Sequence, residues 1–433
     1  MKVAILTMFN GLSKTYSLVS VVEEHLHMLL RAGWQVKLLV SQDCPDSERH
    51  GIYLDERIEW VPITNRLRGE LIHWRDYSQP VGRVHESFFE EAAVISDSME
   101  EALRDVEVCM MHDILYQGWH LVHNIAVRKV QERLPHLRFL AMTHSLPAVR
   151  PIRANWPLSA RFHAMPNTDY IYPTASGLPA LARQYGVEQE RCHAVHNSCN
   201  PFAESTEAFR RLGSQVDLLS PDILAIYPGR LTPGKQFERA AALVGAIAAE
   251  AGCSAKLVCC DFPSLDISSE AYKQQIRHAG ERYGLSGEHI VFTSDEGWPE
   301  GFPHQSVMEL FGLSNLFICS SSSESFGLIV LEAASRGNFI VLNEAVPALK
   351  ELGGRLHAYF VRWNARNFGF ETKEHYSPSE EAYIREHASA IVKRMEGETM
   401  LRAKTIVRQQ YNPEWIWEHQ LKPLLRGMTS HDT

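Results

Sequence analysis

The feature that most constrains the fold is an alternation, along all 433 residues, of short apolar runs with segments of helical periodicity. Apolar runs of this length, separated by helices, are typical of parallel strands that are covered on both faces. Because the strand–helix unit repeats in both halves of the chain, the sequence predicts doubly wound α/β sheets. The predicted strands are residues 2–7, 35–40, 57–62, 107–111, 137–142, 169–173, 223–227, 256–260, 289–292, 316–319 and 339–342.

The length of the chain predicts two domains, since single hydrophobic cores stop growing at about 250–300 residues. A polar segment at 201–221 separates the two alternating patterns. We therefore expect one domain over residues 1–205 and a second over 220–412. Two doubly wound domains in one chain make the cleft between them the expected ligand site.

Composition excludes several classes of protein. The formal net charge of −9 argues against a nucleic-acid binder, which usually carries a basic footprint. The eight cysteines show no CxxC spacing, which suits a reducing compartment. No apolar run approaches the roughly 18 residues that span a bilayer, and no leader precedes the first strand. We expect a soluble, cytoplasmic protein with no nucleic-acid partner, and membrane association is unsupported.

A serine-rich loop and a short helix follow the predicted strand 316–319. The loop begins near Ser320, and the helix is predicted over 328–336, where Gly337 ends it. The first N–H groups of this helix, including those of Gly327 and Leu328, lack partners within the helix. Because the helix dipole is positive there, the sequence predicts an anion-binding helix start.

Glu332 lies in the middle of that helix among apolar residues. A helix that is apolar nearly all round is expected to be buried. A buried carboxylate is costly unless it is paired or bonded to a specific group. Either Glu332 forms an i,i+4 pair with Arg336, worth a few tenths of a kcal/mol, or it binds a ligand.

A second loop in the same half of the chain carries two cations. Strand 223–227 leads into Gly229, Arg230 and Lys235, and a helix follows. Arginine grips phosphate oxygens bidentately and lysine acts as a point charge, so this loop suits a diphosphate. Taken alone, such a loop is more often a solvated turn. Two such loops, each at the carboxyl end of a strand, favour a shared phosphate site.

Residues 322–333 resemble the E-x7-E motif of retaining glycosyltransferases of the GT4 type, and Gly229, Arg230 and Lys235 resemble their donor-phosphate motif. The resemblance implies the GT-B architecture, in which two Rossmann-like, doubly wound domains face a central cleft. It further implies an N-terminal acceptor domain, a C-terminal donor domain, and a helix over 413–433 that returns to the first domain.

The resemblance also implies residue roles. Glu332 would bind the ribose, Glu324 the transferred sugar, and Arg230 with Lys235 the diphosphate. The backbone of Phe326, Gly327 and Leu328 would hold the distal phosphate. Four residues are the implied catalytic groups: Glu324, Lys235, Arg230 and His144. Six others are the implied nucleotide-sugar contacts: Glu332, Phe326, Gly327, Leu328, Gly11 and Gly229.

The implied reaction is retaining transfer of a hexosyl group from a nucleotide-diphospho-sugar to a sugar, glycoside or other hydroxyl acceptor. The chain contains no DxD motif, which fits a metal-independent enzyme with no cofactor beyond its nucleotide-sugar substrate. A UDP-sugar is favoured over GDP-mannose. The alternatives are a phosphorylase, a sugar-nucleotide epimerase, or a non-catalytic nucleotide-sugar-binding protein.

Two segments depart from the family pattern, and a third has an open role. The loop after the first strand contains only Gly11 where paired glycines are usual, and Asp261 opens a loop that usually carries glycines. Recognition of the base is therefore expected to differ. The segment 150–163 is rich in basic residues and is either a loop for an anionic or sugar acceptor or a solvated basic loop.

Overall fold

A computed structural model describes residues 1–72, 75–79, 81–148, 153–264, 267–363, 365–367, 370–372 and 379–427. The chain forms two compact units, one of Met1–Ser198 with Pro413–Thr433 and one of Cys199–Asn412. The predicted boundary segment 201–221 therefore lies within the second unit. It does so because Phe209 and Leu212 are buried in the core of that unit.

The first unit is built on a sheet of seven parallel strands in the order β3-β2-β1-β6-β7-β8-β9, with a separate two-stranded hairpin of β4 and β5. The strands are β1 (Lys2–Leu6), β2 (Gln35–Ser41), β3 (Ile58–Ile63), β4 (Arg66–Leu67), β5 (Glu70–Leu71), β6 (Val108–His112), β7 (Arg138–Met142), β8 (Thr168–Tyr172) and β9 (Cys192–Ala194). The helices are α1 (Ser17–Arg31), α2 (Phe88–Leu103), α3 (Leu121–Arg133) and α4 (Leu178–Tyr185).

Both faces of this first sheet are covered. On β1, Ala4 and Leu6 pack into one hydrophobic cluster, which contains buried residues of α2 and α3. Val3 and Ile5 point to the other face and pack with α1. Apolar residues on both sides of each strand give the continuous apolar runs seen in the sequence.

The second unit has a sheet of six parallel strands in the order β12-β11-β10-β13-β14-β15. Its strands are β10 (Ile223–Arg230), β11 (Ala255–Phe262), β12 (Ile290–Phe292), β13 (Leu316–Cys319), β14 (Phe339–Asn343) and β15 (Tyr359–Val361), and β16 (Ala365–Asn367) pairs with β17 (Phe370–Thr372) in a hairpin. Its helices are α5 (Glu207–Gln215), α6 (Phe237–Ala251), α7 (Ser269–Glu281), α8 (His304–Leu313), α9 (Leu328–Ser335), α10 (Pro347–Arg355), α11 (Glu380–Glu396) and α12 (Thr399–Gln410).

The C-terminal segment belongs to the first unit. It contains α13 (Pro413–Ile416), a π-helical turn and α14 (Lys422–Leu425). The Trp417 ring lies edge-on to Trp34, with ring centroids 5.1 Å apart. The guanidinium of Arg138 donates a 2.6 Å hydrogen bond to the carbonyl of Leu424. These contacts fix the segment against α1 and the first sheet.

The predicted fold class, α/β with two Rossmann-like doubly wound domains, is confirmed. Each predicted strand is present, and β10 runs on to Arg230 because Gly229 pairs with Asp261 of β11. The short strands β9 and β15 are not predicted, since neither contains an apolar run longer than three residues.

The arrangement of the two domains around a central cleft stays a prediction. Among the helices of the described ranges, none has the length and apolarity needed to cross a bilayer.

Candidate functional site

The topology of the second sheet identifies a position for a site. The strand order reverses between β10 and β13, because β11 and β12 lie on one side of β10 and the later strands on the other. In open α/β sheets, ligands bind outside the carboxyl ends of the strands at such a switch point. The loops that leave β10 and β13 are residues 231–236 and 320–327, the two loops singled out in the sequence.

An ion pair joins these two loops. The ammonium of Lys235 contacts Oε1 of Glu324. The Lys235 side chain is 28% exposed and that of Glu324 is 16% exposed, so the pair is partly shielded from water. The structure therefore brings together two of the predicted catalytic residues that are 89 positions apart in the chain.

The serine tract holds the first loop in place. The hydroxyl and backbone N–H of Ser322 both donate to the carbonyl of Gly234, at 2.9 and 2.8 Å. The hydroxyls of Ser320 and Tyr227 donate to the carbonyl of Lys235, at 3.1 and 2.7 Å. Burial raises the pKa of Tyr227 well above its ordinary value, so its hydroxyl remains a donor. The carbonyl oxygens of Gly234 and Lys235 therefore accept bonds from within the unit. The groups of this loop that remain available to a ligand are its cationic side chains.

Gly327 sets the start of α9. Its φ of +85° lies in the left-handed region, and a Cβ there would be 3.1 Å from Cδ2 of Leu349. No side chain of the described chain caps this helix start, so its first N–H groups are free to bind an anion. Phe326 and Leu328 on either side are 53% and 62% exposed.

The expectation that α9 is buried all round is wrong. Only Val330 and Ala333 of the helix are buried; Leu328 and Ser335 at its two ends are exposed, and the other residues are half-buried. Glu332 is 16% exposed, and its Oε1 lies 2.9 Å from Nε2 of His304 at the start of α8. Among the described ion pairs, none joins Glu332 to Arg336, so the i,i+4 alternative is wrong as well.

Arg230 and Gly229 end β10 beside the Lys235 loop. Arg230 is exposed, and no described carboxylate pairs with its guanidinium. A Cβ on Gly229 would lie 3.6 Å from Cζ of Phe237, an ordinary contact distance. Packing within this unit therefore does not require glycine there, and its role in ligand approach stays a prediction.

Asp261, which departs from the family pattern, is tied to the neighbouring strand. Its carboxylate is buried and accepts hydrogen bonds from the N–H and the hydroxyl of Ser294, at 3.0 and 2.6 Å. The ammonium of Lys273 lies 4.0 Å away. Asp261 therefore lies within β11 and does not open the loop after it, because its backbone pairs with Gly229 and its carboxylate binds the segment that follows β12.

The first sheet has its own switch point between β1 and β6. A cavity of about 370 Å³ lies there, lined by residues of the loop after β1 and of the end of β6. Next to it, the N–H of Leu12 donates a 2.7 Å hydrogen bond to Oε2 of Glu48. A Cβ on Gly11 would lie 2.8 Å from the same oxygen. A carboxylate of the chain itself thus contacts the loop for which a phosphate contact is predicted, and that role of Gly11 stays a prediction.

His144 follows β7 and belongs to a group of packed histidines. Its Nε2 is 3.0 Å from Nδ1 of His112, and the two rings stack with centroids 5.2 Å apart. Its backbone N–H donates to Oδ1 of Asp113 at 2.8 Å. Asp113 has a φ of +58°, so its backbone lies in the sparsely populated left-handed region. Burial lowers the pKa of His144, which keeps the imidazole neutral.

The predicted site residues thus fall into two groups. The second unit holds Glu324, Lys235, Arg230, Gly229, the Phe326–Leu328 helix start and Glu332, while the first holds His144 and Gly11. Sequence patterns gave no sign of the contacts made by His304 and Glu48, whose partners lie far away in the chain. Within the described residues, no group of three or more histidine, cysteine, aspartate or glutamate side chains is placed to hold a metal ion.

Comparison with known proteins gives a family for part of the chain. Residues 214–355, which include both loops of the second switch point and α9, match the family model of the glycosyl transferases group 1. The match supports a glycosyl-transfer function for the site. No curated protein matches the sequence.

Several solved structures are similar at low identity. A sucrose-phosphate synthase from Thermosynechococcus elongatus is 14% identical, with a TM-score of 0.38 and 99% of each chain covered. Anabaena Alr3699/HepE, determined in complex with UDP and glucose, is 13% identical, with a TM-score of 0.36 and coverage of 99% of this chain and 100% of the other. At this level of similarity, neither relative identifies the donor or the acceptor of this protein.

Proposed function

We propose that the protein is a retaining glycosyltransferase of the GT4 type, which moves a hexosyl group from a nucleotide-diphospho-sugar to an acceptor hydroxyl without a metal ion. The observation that carries the proposal is the Lys235–Glu324 ion pair at the switch point of the second sheet. This pair lies inside the segment that matches the glycosyl transferases group 1.

The chemistry of the reaction requires cations at this point. When the glycosidic bond breaks, the nucleoside diphosphate leaves with developing negative charge. Arg230 and Lys235 leave the same end of the sheet as the free N–H groups of α9, so the three together form a cationic, donor-rich surface. Preorganised positive groups stabilise the charge as it forms and replace the role of a divalent ion.

The two glutamates suit hydroxyl-bearing parts of the donor. A carboxylate accepts hydrogen bonds from vicinal hydroxyls. Glu324 is held by Lys235, and we assign it to the transferred sugar. Glu332 lies within α9 beside His304, and we assign it to the ribose. We assign a UDP-sugar as the donor in preference to GDP-mannose. We place the acceptor, a sugar, glycoside or other hydroxyl compound, with the first domain, and we assign His144 to the catalytic groups near the donor sugar.

The free cysteines bear on where the enzyme works. All eight cysteines are unpaired, and Cys259 and Cys260 are buried in β11. Unpaired thiols suit a reducing environment, which supports the proposal that the reaction takes place in the cytoplasm.

The first test is turnover by variants of the ion pair. Lys235→Ala and Glu324→Ala should each lower the rate of transfer from a UDP-sugar by about 10²–10³, the usual cost of losing a group that stabilises transition-state charge. The matched control is Arg355→Ala, which removes half of an exposed ion pair with Glu351 in the same unit. The control should retain full activity. Near-normal turnover in both site variants would disprove the assignment.

The second test separates the proposed reaction from its alternatives. Transfer should continue unchanged in EDTA, and a strict requirement for Mg²⁺ or Mn²⁺ would contradict a metal-free mechanism. Release of sugar phosphate only in the presence of inorganic phosphate would indicate a phosphorylase, and inversion of the sugar without an acceptor would indicate an epimerase. Tight binding of nucleotide-sugars without any turnover would indicate a binding protein.

A further inference from the structure

A second polar cavity lies in the first unit, away from the residues assigned above. Its volume is about 1000 Å³, and it is formed mainly by residues 153–164 and by the end of α4 at 183–186. Three basic side chains line it, those of Arg153, His163 and Arg183. Among its described lining residues there is no aspartate or glutamate.

These three basic groups are exposed and, among the described residues, unpaired. Within the described chain, no carboxylate and no carbonyl bonds to the side chains of Arg153, His163 or Arg183. The protein carries 52 acidic and 43 strongly basic residues, so such a cluster of basic groups is unusual for its overall charge. A cavity lined by available donors is chemically matched to an anion.

A buried amide supplies an independent indication of a ligand. Gln184, which is 6% exposed, lines the same cavity. Its Oε1 accepts a 2.7 Å hydrogen bond from the N–H of Ala148, which fixes the orientation of the amide. Its Nε2 then has no partner within the described residues. A buried donor without an acceptor costs free energy, which an acceptor bound in the cavity would recover.

A buried guanidinium holds the segment that forms one wall of the cavity. Arg128 donates to the carbonyls of Ala164 and Ala160, both at 2.9 Å, and to that of His163 at 2.6 Å. Burial lowers the pKa of Arg128, since its charge is met by neutral groups. These bonds hold the segment rigidly and occupy its carbonyl oxygens. Three backbone acceptors of this wall are therefore already occupied, and its basic side chains remain available to a ligand.

We propose that this cavity binds a small polyhydroxyl molecule that carries an oxyanion, a phosphate or a carboxylate. Arg153 and Arg183 bind the oxyanion, and Nε2 of Gln184 donates to an oxygen of the same ligand. The volume suits a monosaccharide or disaccharide derivative. The proposal does not rest on the glycosyltransferase function, since the residues that carry it belong to a different unit from the Lys235–Glu324 pair.

The experiment is calorimetric titration of the full chain with glucose 6-phosphate, glucuronate, inorganic phosphate and glucose. Glucose 6-phosphate or glucuronate should bind with a stoichiometry of one, and glucose should not. Binding of the phosphate ester alone would identify the oxyanion as a phosphate, and binding of both would show a general oxyanion site. Each of Arg153→Gln and Arg183→Gln should weaken binding about tenfold, as expected for loss of one charged hydrogen bond.

Two controls make the result decisive. Arg31→Gln removes another exposed arginine, from α1 of the same unit, and should leave the titration unchanged. Arg183→Lys keeps the charge and should retain part of the affinity. The thermal unfolding curve of each variant, followed by circular dichroism, reports that the chain is folded and should not change. Absence of oxyanion binding at millimolar concentration, or equal binding in the Arg153→Gln, Arg183→Gln double variant, would overturn the proposal. Failure of UDP-sugar turnover would leave it standing.

Discussion

A single carboxylate sets the local structure of the loop after β1. Oε2 of Glu48 accepts a hydrogen bond from the N–H of Leu12 and occupies the space that a side chain at position 11 would need. Glycine at position 11 is therefore explained by contact with Glu48, with no need for a ligand. A phosphate that approached the same N–H would have to replace the glutamate.

This contact predicts that positions 11 and 48 are energetically coupled. Gly11→Ala should push Glu48 away and break its bond with Leu12, at a cost of about 0.5–1.5 kcal/mol in the free energy of unfolding. In a Glu48→Ala background, the same change should cost close to nothing, because the obstructing carboxylate is gone. Urea denaturation of the four proteins in the cycle measures the coupling. An equal cost of Gly11→Ala in both backgrounds would contradict the contact.

The residues that sequence analysis found differ in kind from those it missed. Lys235 and Glu324 stand in loops whose glycines, serines and neighbouring strands are visible locally, so both could be chosen from the sequence. The partner of Glu332 could not, because His304 begins another helix 28 residues earlier and has no local pattern of its own. Such contacts depend on how helices α8 and α9 pack against each other. The spacing of apolar residues along the sequence does not specify that packing.

On the scale of elements, helix α9 shows where the apolar pattern misleads. Its run of leucine, isoleucine and valine predicted a buried helix, yet only two of its residues are buried and Leu328 is 62% exposed. Its position is set by its two ends, since Gly327 and Gly337 both have positive φ values. The first of these glycines is packed, whereas a Cβ on the second would meet no described atom within 4 Å.

The two glycines form a matched pair for a test of the helix start. Gly337→Ala should cost about 1–2 kcal/mol for its left-handed backbone and leave transfer unchanged, because the space there is open. Gly327→Ala should cost more, because its Cβ would press on Leu349, and it should also displace the N–H groups that we assign to phosphate. Thermal unfolding and the Michaelis constant for the UDP-sugar, measured side by side, check this. Equal losses of activity in the two variants would argue against a phosphate contact at Gly327.

On the scale of the whole molecule, the sequence predicted the alternation of strands and helices and hence two Rossmann-like units. It could not predict the strand order. That order depends on which side of the sheet each strand–helix–strand connection places the next strand. The observed orders place a switch point in each sheet, and the predicted loops of the second unit fall at one of them. The order therefore explains why two loops far apart in sequence lie side by side.

The two units should respond differently to acid. His25, His112 and His123 are buried in the first unit, and no histidine is buried among the described residues of the second. Burial lowers the pKa of His25 to about 3, and it lowers the pKa values of His112 and His123 well below their ordinary range. An unfolded histidine takes up a proton below about pH 6.5, and these folded ones do not, so acid favours unfolding.

The expected size of this effect follows from His25 alone. Between about pH 6.5 and about pH 5, His25 lowers the free energy of unfolding by about 2 kcal/mol. Amide hydrogen exchange, corrected for intrinsic rates, should therefore show the first unit losing protection before the second as the pH falls. His25→Gln removes one of the titrating groups and should make the loss less steep. If the second unit loses protection first, or if His25→Gln leaves the pH dependence unchanged, the buried histidines do not control acid stability.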